Sequence, residues 1–199
     1  MKLHNYLELV LGNKGTISVL RALVIYQGKV YTVRSLAEDA GISHTETAAT
    51  INDLEKLGIV EVQPVGRAHQ VSLNKKNRTF NKIIIPSINV EKNTLAELIQ
   101  LLKKDLTTSK IISAVIFGSV ARGEEKIDSD IDLLIVSNDH DHAIDQISIA
   151  SRKVFAIFHG ELSHIVFTEK EFKAKKRGQL VQSIINDHIL ISGKRPQDI

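Results

Sequence analysis

The chain has no cysteine, no tryptophan, one methionine and three prolines among 199 residues. Without cysteine there is no disulfide framework and no thiol chemistry, a composition that fits the cytosol. No run of about 18 apolar residues is present to span a bilayer, and the N-terminus lacks the basic, apolar and small-residue succession of a secretory signal. A cytoplasmic protein with no membrane partner is therefore expected. A large excess of one charge is also missing: 26 basic residues stand against 23 acidic ones. That balance permits nucleic acid as a partner without demanding it, so local distribution matters more than the sum. Aromatic residues are scarce in the first 80 positions, which argues against a stacking platform for single strands. No repeat or low-complexity segment is present, and the length suffices for one large or two small domains.

What is there is concentrated in residues 111–136, IISAVIFGSVARGEEKIDSDIDLLIV. An apolar, β-branched run from Ile111 to Phe117 predicts a buried strand ended by Gly118 and Ser119. Ten residues after Ser119, Ser129-Asp130-Ile131-Asp132 leads into a second strand over 133–136. Alternation along a strand puts Asp130 and Asp132 on one face, roughly 6 to 7 Å apart at Cα, with Ile131 and Leu133 in the core. Two ionised carboxylates side by side raise each other's proton affinity, whereas Mg²⁺ satisfies both and leaves positions for water and phosphate oxygens. At the turn, Gly118 lets backbone N–H groups approach an anion, Ser119 offers a hydroxyl, and Arg122 adds a fork-shaped cation. The combination points to metal-assisted handling of a nucleoside triphosphate.

Residues 117–134, FGSVARGEEKIDSDIDLL, resemble the signature of the polymerase-beta-like nucleotidyltransferase superfamily, in particular its minimal and kanamycin-nucleotidyltransferase-like members. The resemblance implies an α/β core from about 94 to about 193, with Gly118 and Ser119 holding the triphosphate and Asp130 and Asp132 the metal. It also implies a third carboxylate on a later strand, acting as general base and metal ligand. On the candidate strand, ELSHIVFT over 161–168, that position falls on Ser163. Glu161, two residues earlier and on the same face, is the alternative, against a reading as an exposed strand end. His164 points the other way by parity.

Residues 1–80 read as a separate unit. Apolar residues recur at helical spacing over 7–11 and 17–26, the second with Thr16 as N-cap. A short helix over 33–40, a turn at Gly41, and a capping box at Ser43-His44-Thr45-Glu46 opening a helix to about Leu57 follow. After Gly58, segments 59–62 and 71–73 predict a hairpin turning near Pro64 and Gly66. This order, with LEKLGIVEV passing into VGRAHQVSLN, resembles the winged helix-turn-helix family. In that motif the helix from Ser43 enters the major groove of double-stranded DNA, presenting His44, Thr45, Thr47 and Thr50, and the hairpin lies on phosphates. From 63 to 82 the basic residues Arg67, Lys75, Lys76, Arg78 and Lys82 meet no acidic one. Winged domains also serve in protein interaction and dimerisation, and a homodimer is the expectation from symmetry.

The expected fold class is therefore α+β in two domains: a winged helix-turn-helix over 1–80, a linker over 81–93 in which Pro86 holds Ile85 extended, and a mixed sheet with helices over 94–199. Thr94 with Glu97 predicts the cap of a helix carrying Leu95, Leu98, Ile99, Leu102 and Leu106. A crossover helix is expected over 143–158; Asp139-His140-Asp141-His142 ahead of it reads as ordinary capping and dipole features, with metal ligation as the alternative, and a last short strand is expected over 188–192. The expected activity is Mg²⁺-dependent transfer of a nucleoside monophosphate from an NTP to a hydroxyl. By resemblance the acceptor is a protein, as in members that modify a partner toxin, or a small molecule such as an aminoglycoside. A different reading is a DNA-binding regulator whose second domain only senses a nucleotide, favoured by Ser163 standing where a carboxylate is expected.

Overall fold

The computed structural model describes residues 6–26, 28–66 and 68–199, and the chain divides into two compact units, Met1–Asn93 and Thr94–Ile199.

In the first unit, α1 covers Leu7–Leu11 and α2 covers Lys14–Ile25. The cap of α2 is Asn13, whose side chain accepts hydrogen bonds from the backbone N–H groups of Gly15 and Thr16. Thr16, expected to cap, is instead buried inside the helix. Strand β1 (Tyr31–Thr32) leads into α3 (Val33–Ala40), which Thr32 and Ser35 cap reciprocally. Gly41, at φ +66°, closes α3, and α4 (His44–Lys56) begins with the Ser43 hydroxyl accepting the Glu46 N–H at 3.2 Å. Strands β2 (Val60–Val65) and β3 (Ala68–Leu73) form an antiparallel hairpin, and β1 adds on the far side of β3. Pro64 lies within β2, paired with His69, and not in the turn. An edge strand accommodates it because the missing N–H faces no neighbour. Leu20, Leu23, Leu36, Ile51, Leu54, Ile59, Val71 and Phe80 make the core of this unit.

The expected linker is helical. A π-helical turn, Phe80–Ile84, runs into α5, Ile85–Leu106. Ile85 has φ −57° and ψ −51° despite preceding proline. The wider π turn relieves the clash that a proline ring makes with the carbonyl four residues back. Thr94 consequently sits inside α5 and does not cap it.

In the second unit the strands are β4 (Ile111–Phe117), β5 (Ile131–Ser137), β6 (Leu162–Phe167) and β7 (Ile189–Gly193), in the order β6-β5-β4-β7. Helix α6 (Gly118–Arg122) follows β4, α7 (His140–Phe158) crosses from β5 to β6, and α8 (Glu169–Lys175) and α9 (Gln179–Asn186) precede β7. Asp139 caps α7 by accepting the His142 N–H at 3.0 Å, and it pairs with Lys110 at 2.6 Å. One sheet face, with Ala114, Ile116, Leu133 and Ile135, packs with Leu98, Leu102 and Leu106 of α5 and Ala143, Ile147 and Val154 of α7. The other, with Val115, Leu134 and Val136, packs with Phe172, Val181 and Ile184 of α8 and α9. Each such fully buried side chain contributes about 1.5–3 kcal/mol, so both faces anchor the two central strands. β4 runs antiparallel to β5 and β7, and β6 runs parallel to β5. The end of β4 and the starts of the other three strands therefore meet at one end of the sheet.

Candidate active site

That end carries the polar residues singled out in the sequence. Phe117, the last residue of β4, pairs with Asp132, and Asp132 in turn lies level with Ser163 of β6. Paired residues of neighbouring strands face the same way, so Asp132 and Ser163 share the face on which Phe117 lies. Gly118 then turns the chain with φ +74°. A Cβ built on it would overlap the Asp132 carboxylate. Glycine is required there twice over, for the left-handed backbone and for the approach of the aspartate. Gly118→Ala is therefore expected to lower stability by about 1–3 kcal/mol and to weaken triphosphate binding, which thermal unfolding and calorimetry with an NTP measure.

Asp132 is half-buried and Asp130 exposed. Burial raises the proton affinity of the Asp132 carboxyl, and neighbouring Asp130 raises it further; the Ser163 hydroxyl, donating a hydrogen bond, and the Arg122 charge act against this. Arg122 pairs with Glu124 at 2.8 Å, and Asp187 and Asp132 also attract it. A carboxylate pair whose negative charge is only partly offset fits a divalent cation, with remaining coordination positions left to water and phosphate oxygens. Ser119 follows on the first turn of α6, half-buried, its carbonyl accepting the Glu124 N–H at 2.9 Å.

Glu161 does not complete the site. It is exposed, its carbonyl accepts the Ile131 N–H at 2.9 Å, and it lines a cavity of about 410 Å³ with Ser151, Arg152 and Phe155 of α7. Among the described residues no group of three or more acidic, histidine or cysteine side chains is placed to hold a metal. His164 lies beside α7 residues Ile147, Ser148 and Ser151, as its parity requires.

A nucleotidyltransferase domain family model matches residues 95–194, half of the chain. The chain belongs to this family. Solved structures similar to parts or most of the chain include the following. One is a toxin-antitoxin complex with AMP-PNP, at 17% identity and TM-score 0.35, covering 52% of this chain and 76% of that one. Another is a putative nucleotidyltransferase from Sulfolobus solfataricus, at 24% identity and TM-score 0.32, covering 50% and 83%. TrmBL2, an archaeal chromatin protein, is similar at 17% identity and TM-score 0.30, covering 91% of this chain and 73% of that one. No curated protein matches the chain.

Asp187, just before β7, attracts Arg122. The pairing of β7 with β4 brings that end of the strand there, and no spacing in the chain signals it.

In the first unit, Ser43 is the cap of α4, and His44 and Thr45 are exposed on its first turn. Thr47 and Thr50 are buried, contrary to expectation. The Thr47 hydroxyl donates to the Ser43 carbonyl at 2.9 Å, which satisfies it without solvent. The outward face of α4 carries Ala48, Ala49 and Asn52 instead. Lys75, Lys76, Arg78 and Lys82 are exposed and join no ion pair among the described residues. Arg67 lies outside the described residues. No helix among the described residues is long and apolar enough to cross a membrane.

Proposed function

We propose that the second unit transfers a nucleoside monophosphate from an NTP to a hydroxyl, that it does so with Mg²⁺, and that the first unit, read as a winged helix, tethers it to double-stranded DNA. The observation that carries the enzymatic half is the approach of Asp132 to Gly118, which merges the acidic pair and the Gly-Ser turn into one site. Backbone N–H groups and the Ser119 hydroxyl bind phosphate oxygens, and Arg122, released from Glu124, binds them as a bidentate fork. Asp130 and Asp132 would hold Mg²⁺, which when bound neutralises charge on the triphosphate and polarises it toward attack. Of the two acceptors implied by resemblance, a protein side chain suits a DNA-tethered enzyme better than an antibiotic.

The test is incubation with Mg²⁺ and NTPs labelled at the α-phosphate, together with cell lysate. Label on a protein, absent when label is placed at the γ-phosphate, supports nucleotidyl transfer; no transfer to any macromolecule or small molecule defeats it. A second reading is supported by Ser163: with a serine hydroxyl beside Asp132 in place of a general base, the domain binds a nucleotide and reports its presence to the DNA-binding unit. Mg²⁺-dependent NTP binding without any transfer selects that reading.

For the DNA half, replacing Lys75 and Lys76 by alanine is expected to weaken duplex binding uniformly across sequences. It lowers the slope of log affinity against log salt by about 2, measured by retardation at several salt concentrations.

A further inference from the structure

His188 is half-buried, and its Nδ1 is shut off from solvent with no hydrogen-bond partner. Leaving a buried polar atom unpaired costs about 1–3 kcal/mol, and an orphaned buried N–H is rarer than an orphaned acceptor. The ring proton therefore belongs on Nε2, and Nδ1 keeps its lone pair. Nε2 is not among the buried orphans and has no hydrogen-bond partner among the described residues, so it is a donor left for a ligand.

Its position follows from the ladder. Ile189 pairs with Ile116 and Leu190 with Val115. Asp187 is extended, at φ −129° and ψ 92°, and His188 is the one residue between it and the start of β7, from which the ladder is continued by one step. One step before Ile189, His188 falls level with Phe117, on the face that Phe117 shares with Asp132. One row thus crosses the whole sheet end: Ser163, Asp132, Phe117, His188. With strands about 4.8 Å apart, His188 stands roughly 10 Å from Asp132. The Gly118-Ser119 turn rises between them. A triphosphate seated on that turn has the acidic pair on one flank and His188 on the other. The neighbouring Asp187, which attracts Arg122, brings the same flank close to the arginine.

We propose that His188 is a further catalytic residue, donating a hydrogen bond from Nε2 to the terminal phosphates that leave as pyrophosphate. This rests on the nucleotidyl-transfer reading above. In the step, the acceptor oxygen bonds to the α-phosphorus and its proton passes to water. The bond from that phosphorus to the bridging oxygen breaks, and its electron pair goes to pyrophosphate. His188 keeps its proton and stabilises the charge that accumulates on the leaving group.

The experiment is calorimetry on the full chain with Mg²⁺ and three probes: ATP, inorganic triphosphate and AMP. His188→Ala is expected to weaken ATP and triphosphate about tenfold, the equivalent of one charge-assisted hydrogen bond, and to leave AMP unchanged. His188→Gln, whose amide nitrogen reaches the place of Nε2, restores most of the affinity, and His188→Asn does not; these two decide the matter if the alanine variant does not fold. Equal ATP and triphosphate affinity in wild type, H188A and H188N overturns the proposal while leaving the nucleotide site standing. So does a loss that falls equally on AMP, the mark of a structural role. A wild-type protein that binds neither ATP nor triphosphate overturns the nucleotide reading itself.

Discussion

Replacing Asp130 and Asp132 together by asparagine is expected to reduce nucleotidyl transfer by at least about a thousandfold, the equivalent of several kcal/mol of transition-state stabilisation. The same change is expected to make the metal-free protein more stable at neutral pH. Burial and the neighbouring Asp130 raise the proton affinity of Asp132 in the folded chain. For an acid raised in this way, the favourable contribution is present below its unfolded value and is lost as pH rises through the folded one. At pH 7 the ionised Asp132 therefore opposes folding, and an asparagine removes that opposition. Thermal unfolding should show the variant melting above wild type at pH 7, with the gap closing as pH falls toward 4, the ordinary carboxylate range. A variant that melts below wild type at pH 7 would show that the carboxylate is held by favourable contacts, contrary to the electrostatics described. Mg²⁺ should raise the melting temperature of wild type and leave the double variant where it is.

The second large effect is a gain. Ser163 lies level with Asp132 on the parallel neighbour strand, where a third carboxylate would complete the acidic site. Ser163→Asp is expected to raise transfer about 100-fold, within the contribution of a positioned general base. It also removes the hydroxyl that donates to Asp132 and adds a third negative charge. The metal-free variant should melt below wild type, and added Mg²⁺ should shift its melting temperature further than it shifts that of wild type. Single-turnover rates with an α-labelled NTP and unfolding scans with and without Mg²⁺ read both effects. Tighter Mg²⁺ binding without faster transfer would favour a nucleotide sensor over an enzyme.

The strands that build the site were legible because their patterns are local. The runs over 111–117 and 131–137 are apolar on both faces, and both faces are covered, by α5 and α7 on one side and α8 and α9 on the other. The Gly-Ser turn and the aspartates sit at the ends of those runs, so fixing the strands fixed them. What local pattern does not show depends on longer-range physics or on hydrogen bonds that composition conceals. Thr47 counts as polar in any pattern, yet its hydroxyl bonds the preceding turn and the side chain buries completely. Pro86 suggested a break, but the π turn before it makes room for its ring. Asn13 and Thr16 both cap well, and only the direction of the preceding chain decides between them. Glu161 shares the parity of the aspartates, but it lies one step before the first ladder residue of β6 and lines a cavity with α7 residues. His188 depends on which strand pairs with β4, a choice between partners many residues apart.

That last pairing has a consequence for synthesis. Ser113 meets Gly193 across the sheet, 80 positions further along the chain. While a ribosome is still making the chain, the glycine-serine bend and both aspartates have long emerged before the strand that flanks them is available. The growing polypeptide therefore passes through a period in which one margin of its central strand lies open and the nucleotide cradle is half walled. Catalytic competence should arrive only once residues 189–193 have joined the sheet, all at once.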